Sequence, residues 1–251
     1  MSGGEDSARG SPGAARFEEG LARCSPGAAR FEALILDFDG VLIDSEYEGN
    51  AALARYLAGI GHAISPEQSM RTFMGLAGDD FHAAVETHIG RPLPADFAER
   101  MSEAYREMLG DGVAAVAGAI DFVRKLPPAL PRAIASSSST RWISGHLERL
   151  GLAGHFGDMI FSGREHVARG KPAPDLYLHA ARALGADIAA TAIVEDSPVG
   201  MRGAVASGAT VIGLCAGSHC DADHGARLKA LGAHHVAQGF GEVAALLGIG
   251  R

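Results

Sequence analysis

The fold is decided by the stretch Leu34-Ile35-Leu36-Asp37-Phe38-Asp39-Gly40-Val41. Its short apolar run predicts a buried strand, and the run ends in two aspartates that are one residue apart. Because a strand points alternate side chains to opposite faces, Asp37 and Asp39 share one side if the strand geometry continues. Two carboxylates held together repel each other and lose hydration, so a divalent cation stabilises them. Oxygen ligands of this kind suit Mg²⁺. Beside such an ion, Asp37 is a candidate nucleophile and Asp39 is a candidate acid and base.

Composition limits the classes of protein to which this chain can belong. Its 251 residues suffice for one large α/β domain or for a domain with an insert. The net charge of −8 argues against nonspecific binding of nucleic acid but leaves room for a small anionic substrate. No apolar stretch reaches about 18 residues, so we expect no membrane span. The three cysteines are too few for a disulfide framework, which favours the reducing cytoplasm.

Residues 1–30 differ in composition from the rest of the chain. Glycine, proline, serine and alanine dominate there, which predicts a mobile tail. The tail contains a short duplication, since the sequence from Ala8 to Glu18 recurs with one change from Ala22 to Glu32.

A helical block follows the aspartate pair. From Ser45 to about residue 109 the apolar positions show helical spacing, and no strong strand candidate interrupts them. Ser45 followed by Glu48 predicts a capping box at the start of the first helix. We therefore expect a helical cap domain at residues 45–111, inserted into a core domain formed by residues 31–44 and 112–251.

Strands and helices alternate in the second half of the chain. Strands are predicted at 131–135, 158–161, 191–194, 209–214 and 234–236, and helices at 118–126, 140–150, 174–184, 198–207, 222–231 and 240–247. This alternation is typical of a doubly wound α/β fold, a parallel sheet with helices on both faces. Ligands of such sheets bind beyond the carboxyl ends of the strands.

Polar residues follow three of the predicted strands. Ser136 and Ser137 open a serine run in which hydroxyl and backbone N–H groups can hold phosphate oxygens. Glu195 and Asp196 can complete a Mg²⁺ site, with Asp196 favoured as the direct ligand. Lys171 precedes a helix and can neutralise both a phosphate and the nucleophile. Taken singly, each signal also fits a capped helix or a surface side chain.

Together, the four motifs resemble those of the haloacid dehalogenase superfamily. Residues 37–46 look like its first motif, Ser136 occupies the second, Lys171 the third, and Glu195-Asp196-Ser197 the fourth. The resemblance covers about residues 32–247 and implies a Rossmann-like core. A helical insert directly after the first motif resembles the small cap of the subfamily that contains β-phosphoglucomutase, phosphoglycolate phosphatase and 6-phosphogluconate phosphatase.

The resemblance also implies a role for each residue. Asp37 attacks phosphorus, Asp39 protonates the leaving oxygen and then activates water, and Ser136 and Lys171 hold the phosphoryl group. The implied Mg²⁺ ligands are Asp37, the backbone carbonyl of Asp39, Asp196, and Glu195 either directly or through water. The implied phosphate- and substrate-binding residues are Asp37, Gly40, Ser136, Ser137, Lys171 and, in the cap loop 73–80, Gly75.

These roles predict a Mg²⁺-dependent phosphatase that hydrolyses a small phosphorylated metabolite, a sugar phosphate or 6-phosphogluconate, through an aspartyl-phosphate on Asp37. The alternative is a phosphomutase. β-Phosphoglucomutases, however, place a histidine and an arginine where this chain has Gly49 and Gly78, and the alternative stays open because His62 or Arg71 could substitute for them. A dehalogenase would lack Asp39, and a response-regulator receiver would lack the helical insert. We expect a monomer or a weak homodimer.

One polar loop near the C-terminus stands apart from these motifs. Cys220 lies there beside His219, Asp221, Asp223 and His224, a group that resembles a transition-metal site in residue type. Its spacing matches no standard zinc pattern, so we favour a polar loop beside the core.

Overall fold

A computed structural model describes residues 31–73, 76 and 78–249. Within them, six parallel strands form one sheet in the order β3-β2-β1-β4-β5-β6. The strands are β1 Ala33–Leu36, β2 Arg132–Ser136, β3 Ile160–Ser162, β4 Thr191–Glu195, β5 Thr210–Leu214 and β6 His235–Ala237. The order reverses at β1, and such a switch point opens a crevice at the carboxyl edge of the sheet.

The sheet is buried on both faces. Along β1, Leu34 and Leu36 belong to one hydrophobic cluster, whereas Ile35 belongs to a second cluster on the opposite face. The same alternation holds in β4, where Val194 and Ile193 face opposite ways. Near-continuous apolar strands are what a parallel sheet covered by helices requires.

Helices of the second half of the chain cover these two faces. Those whose apolar residues join the first cluster are α5 Ala119–Lys125, α6 Thr140–Leu150 and α10 Phe240–Leu247. Those that join the second cluster are α7 Asp175–Ala183, α8 Pro198–Ser207 and α9 His224–Ala230. Two short 3₁₀ turns occupy Ala153–His155 and Ile188–Ala190.

A helical insert lies between β1 and α5. Its helices are α1 Ser45–Gly59, α2 Pro66–Phe73, α3 Gly78–Ile89 and α4 Phe97–Asp111. They share a hydrophobic cluster of their own, in which Leu57 and Val85 are fully buried. No helix among the described residues combines the length and apolar character needed to cross a membrane.

The predicted fold class is confirmed, and the predicted strands and helices of the second half occur within two residues of their expected ends. The predicted capping box is wrong: α1 begins at Ser45, and no side chain caps it. Ser45 instead donates from its hydroxyl to Asp39 Oδ1 at 2.8 Å. The predicted tail of residues 1–30 lies outside the described residues.

Candidate active site

The carboxyl edge of the sheet gathers the polar residues of separate strands. The backbone N–H of Asp37 donates to the carbonyl of Val194 at 3.0 Å, which continues the sheet for one residue beyond β1. Ser136 and Glu195 are the last residues of β2 and β4. A cavity of about 300 Å³ opens at this edge. Core residues lining it include Asp37, Asp39, Ser136, Ser137, Ser138 and Lys171.

Lys171 joins two of the carboxylates. Its Nζ lies 2.8 Å from Asp37 Oδ1 and 2.6 Å from Glu195 Oε1, and its side chain is only 3% exposed. Burial alone would lower the pKa of Lys171, but Asp37 and Glu195 raise it well above its usual value. Lys171 is therefore a buried cation beside the predicted nucleophile.

Glu195 is held by a dense set of hydrogen bonds. Tyr177 donates its hydroxyl to Oε1 at 2.9 Å, and the N–H groups of Asp196 and Ser197 donate to Oε2 at 2.9 and 2.8 Å. Burial by itself would raise the pKa of Glu195, but Lys171 and these hydrogen bonds lower it. Gly200 makes room for this carboxylate, because a Cβ there would lie 1.6 Å from Oε1.

Asp39 receives hydrogen bonds from several segments. Ser45 and the indole Nε1 of Trp142 donate to Oδ1 at 2.8 and 2.9 Å, while Ser136 and Ser138 donate to Oδ2 at 3.1 and 2.7 Å. Trp142 is placed in the first turn of α6. These contacts fix the direction of the carboxylate, as a group that transfers a proton requires.

Tyr105 of the insert stacks on Trp142. The two rings stack with their centroids 4.2 Å apart, so α4 contacts the residue that holds Asp39. Burial, followed by the charge of Asp39, raises the pKa of Tyr105 to about 12. The insert therefore contacts the residues at the carboxyl edge of the sheet.

The acidic residues fit a divalent cation. Carboxylate oxygens of Asp37, Glu195 and Asp196 lie within 4.8 Å of one another. Burial raises the pKa of Asp37 well above its usual value, and it raises that of Asp196 as well. Asp196 Oδ1 is buried without a hydrogen-bond partner, which a bound cation would satisfy. Oxygen donors alone favour a hard ion.

Two residues that the sequence did not single out for this site also border it. His219 Nε2 lies 2.9 Å from Asp196 Oδ2, so the loop predicted to lie beside the core in fact contacts the acidic cluster. Burial would lower the pKa of His219, but hydrogen bonding to Asp196 raises it to about 11. Glu46 follows Ser45 in α1, and burial together with Asp196 and Asp39 raises its pKa to about 7.

A second cavity of about 420 Å³ adjoins the first and lies between the insert and the core. Glu46, Gly49 and Asn50 of α1 border both cavities. Apolar residues of the insert, including Leu53, Phe81 and Met101, form much of its wall. The two cavities therefore share one wall at the carboxyl edge of the sheet.

The predicted site residues that the structure describes come together. Asp37, Asp39, Ser136, Ser137 and Lys171 line the same cavity, and Glu195 and Asp196 complete the acidic cluster. Gly40 has a φ of +77°, and a Cβ there would lie 2.0 Å from Asp196 Oδ2. Gly75 lies outside the described residues.

Comparison with known proteins agrees with this geometry. The family model described as haloacid dehalogenase-like hydrolase matches residues 31–208. The chain belongs to this family. A conserved haloacid dehalogenase-like protein of unknown function from Agrobacterium tumefaciens superposes with a TM-score of 0.80 at 32% identity, covering 87% of this chain and 98% of that one.

Two further relatives of this haloacid dehalogenase-like hydrolase bear on its chemistry. The 6-phosphogluconate phosphatase of Escherichia coli is 28% identical over 188 residues, which cover 74% of this chain and 84% of that protein. A family hydrolase from Deinococcus radiodurans, with bound phosphate and sodium, has a TM-score of 0.75 at 33% identity, covering 87% of this chain and 96% of that one. The predicted family and hydrolase class are confirmed.

Proposed function

We propose that this hydrolase is a Mg²⁺-dependent phosphatase of small phosphorylated metabolites, with sugar phosphates and 6-phosphogluconate as the first candidates. The observation that carries the proposal is the cluster of Asp37, Glu195 and Asp196, in which the cation of Lys171 contacts Asp37 directly. A phosphoryl group in transit needs in-line positioning and neutralisation of its charge. The charged residues at this edge support the proposal that both requirements are met here.

The reaction proceeds in two steps. In the first, Asp37 attacks phosphorus, the bond to the leaving oxygen breaks, and Asp39 gives its proton to that oxygen. In the second, Asp39 takes a proton from water, which attacks the aspartyl-phosphate and releases inorganic phosphate and free Asp37. Covalent capture divides a difficult hydrolysis into two easier displacements.

Other side chains bind and orient the phosphoryl group. Lys171, Ser136 and Ser137 line the cavity in which this group would bind. Asp37, the Asp39 carbonyl and Asp196 would hold the cation. When bound, Mg²⁺ neutralises phosphate charge. Both Glu195 oxygens already accept hydrogen bonds. We therefore propose that Glu195 orients Lys171 and would contact the cation only through water.

We propose that the insert, residues 45–111, acts as a cap that shapes the space for the leaving group. Support comes from the cavity between insert and core and from the stacking of Tyr105 on Trp142. The same cap favours water over a sugar as the phosphoryl acceptor. Gly49, at the position of the mutase histidine, offers no side-chain donor, and a Cβ there would meet nothing within 4 Å.

A panel of phosphate esters tests the proposal. It contains 6-phosphogluconate, hexose phosphates, phosphoglycolate and β-glucose 1-phosphate, with free phosphate as the readout and with Mg²⁺ present or chelated. We expect Mg²⁺-dependent phosphate release that Asp37→Asn abolishes. Full turnover by Asp37→Asn would refute the nucleophile. Conversion of β-glucose 1-phosphate to glucose 6-phosphate without phosphate release would refute the phosphatase proposal and support the phosphomutase alternative.

A further inference from the structure

The loop after β5 reaches back to the fourth strand and contacts Asp196. His219 lies in this loop, and its side chain is only 1% exposed. Its Nε2 donates to Asp196 Oδ2 at 2.9 Å. The other carboxylate oxygen, Oδ1, is buried and accepts no hydrogen bond. One oxygen of Asp196 is thus committed to the imidazole, and the other is left for a further partner.

A second histidine of the same segment holds the backbone of Asp196. His224 Nε2 lies 2.7 Å from the Asp196 carbonyl, and Arg227 Nη2 lies 3.2 Å from His224 Nδ1. Because Arg227 can only donate, Nδ1 must accept, and the proton of the neutral imidazole lies on Nε2. His224 therefore donates to the Asp196 carbonyl. Together, His219 and His224 hydrogen-bond to the side chain and the backbone of Asp196.

The loop is itself anchored to Asp44, the residue directly before the insert. The N–H and the hydroxyl of Ser218 donate to Asp44 Oδ1 at 3.0 and 2.9 Å. Gly217 allows the loop to close, since a Cβ there would lie 2.5 Å from the His219 ring. A histidine held by such fixed neighbours can set the orientation of its partner.

We propose that His219 is a positioning residue for the cation site: its hydrogen bond to Oδ2 fixes the rotation of the Asp196 carboxylate and directs Oδ1 to the divalent ion. The inference rests on the proposed function, because it assumes that Asp196 is a ligand. Partners that orient a metal ligand typically change metal affinity by about 10–100-fold when they are removed.

The test measures binding of Mn²⁺, a paramagnetic substitute for Mg²⁺, to the full chain by electron paramagnetic resonance, without substrate. The variant His219→Gln keeps an N–H donor near the position of Nε2, whereas His219→Asn is too short to reach Asp196. We expect His219→Asn to raise the Kd for Mn²⁺ by about 10–100-fold and His219→Gln to raise it by much less. His155→Asn, at a histidine outside the site, is the matched control.

Activity provides the second readout. In His219→Asn the Mg²⁺ concentration for half-maximal phosphate release should rise with the Kd, while saturating Mg²⁺ restores most of kcat. Equal Mn²⁺ affinity in wild type, His219→Asn and His219→Gln, all folded by circular dichroism, would overturn the inference and leave a metal-dependent phosphatase intact. If His219→Asn does not fold, His219→Gln is compared with His219→Phe, which has no N–H donor. An equal increase in the Kd for Mn²⁺ in these two variants would overturn the inference. Absence of metal-dependent phosphate release in the wild type would instead refute the proposed function.

Discussion

Replacement of Lys171 by methionine is expected to destabilise the whole fold as well as to abolish catalysis. The ammonium group lies 2.8 Å from Asp37 and 2.6 Å from Glu195, and the Glu195 side chain has no solvent exposure. Methionine fills a similar volume but carries no charge. The substitution therefore leaves two carboxylates buried together without their cation.

The size of the effect follows from this burial. Removing one partner of a buried ion pair costs about 3–5 kcal/mol, because the remaining charge is neither solvated nor paired. For a chain of this size, that corresponds to a decrease in Tm of roughly 6–20 °C. The pKa of Lys171 is raised in the folded state, so its contribution is fully present below the unfolded value of about 10.4 and is lost as the pH rises through the folded value.

The assay is denaturant unfolding at pH 7 in chelator, monitored by circular dichroism. Lys125→Met, at an exposed lysine, should change the free energy of unfolding by less than about 0.5 kcal/mol. The double variant Lys171→Met/Glu195→Gln should regain part of the loss. In it, the carbonyl of the introduced amide can still accept the two backbone N–H groups, and one carboxylate charge is gone.

If Lys171→Met lowers the free energy of unfolding by less than about 1 kcal/mol, this reasoning is refuted, because these carboxylates then do not bear the cost of an unpaired buried charge. Equal stability of the single and double variants would show that charge on Glu195 is not the cause.

Three further outcomes are expected. Trp142→Phe removes a donor to Asp39 at 2.9 Å and should lower kcat by about 10-fold or more, measured by steady-state phosphate release. Gly200→Ala would place a Cβ 1.6 Å from a buried carboxylate oxygen and should prevent folding, whereas Gly241→Ala, with nothing within 4 Å, should leave Tm nearly unchanged. Glu46, whose pKa is raised to about 7 by burial and by neighbouring carboxylates, becomes negative above that pH. The KM for 6-phosphogluconate, divided by the KM for a hexose phosphate, should then rise between pH 6 and 8, and Glu46→Gln should remove that rise. If this KM ratio does not change with pH in either protein, Glu46 is not the group responsible.

The sequence predicted those parts of the site that lie at strand ends. Asp37, Ser136 and Glu195 each follow or end a short apolar run, and parallel strands bring such ends to one edge of a sheet. Local pattern and tertiary position agree at these residues, so the fold and most of the acidic cluster were predictable.

Residues that reach the site from elsewhere were harder to predict. Ser45 has the local pattern of a helix cap, yet its hydroxyl binds Asp39, a partner six residues away that the capping pattern does not include. Tyr177 looks like an apolar helix residue and donates to Glu195 only because α7 packs on the sheet over β1 and β2, next to β4. His219 depends on the path of a loop, which no periodicity encodes.

The separation in sequence between partners has a consequence for the protein during its synthesis. Asp39 and Trp142 are 103 residues apart, and Asp44 and Ser218 are 174 residues apart. A nascent chain that has emerged only as far as β3 contains Asp37, the proposed nucleophile, but lacks Lys171, Glu195 and the loop that holds Asp196. Ribosome-bound intermediates are therefore expected to be inert toward cellular phosphate esters, and reactivity arises only once the last third of the polypeptide has docked.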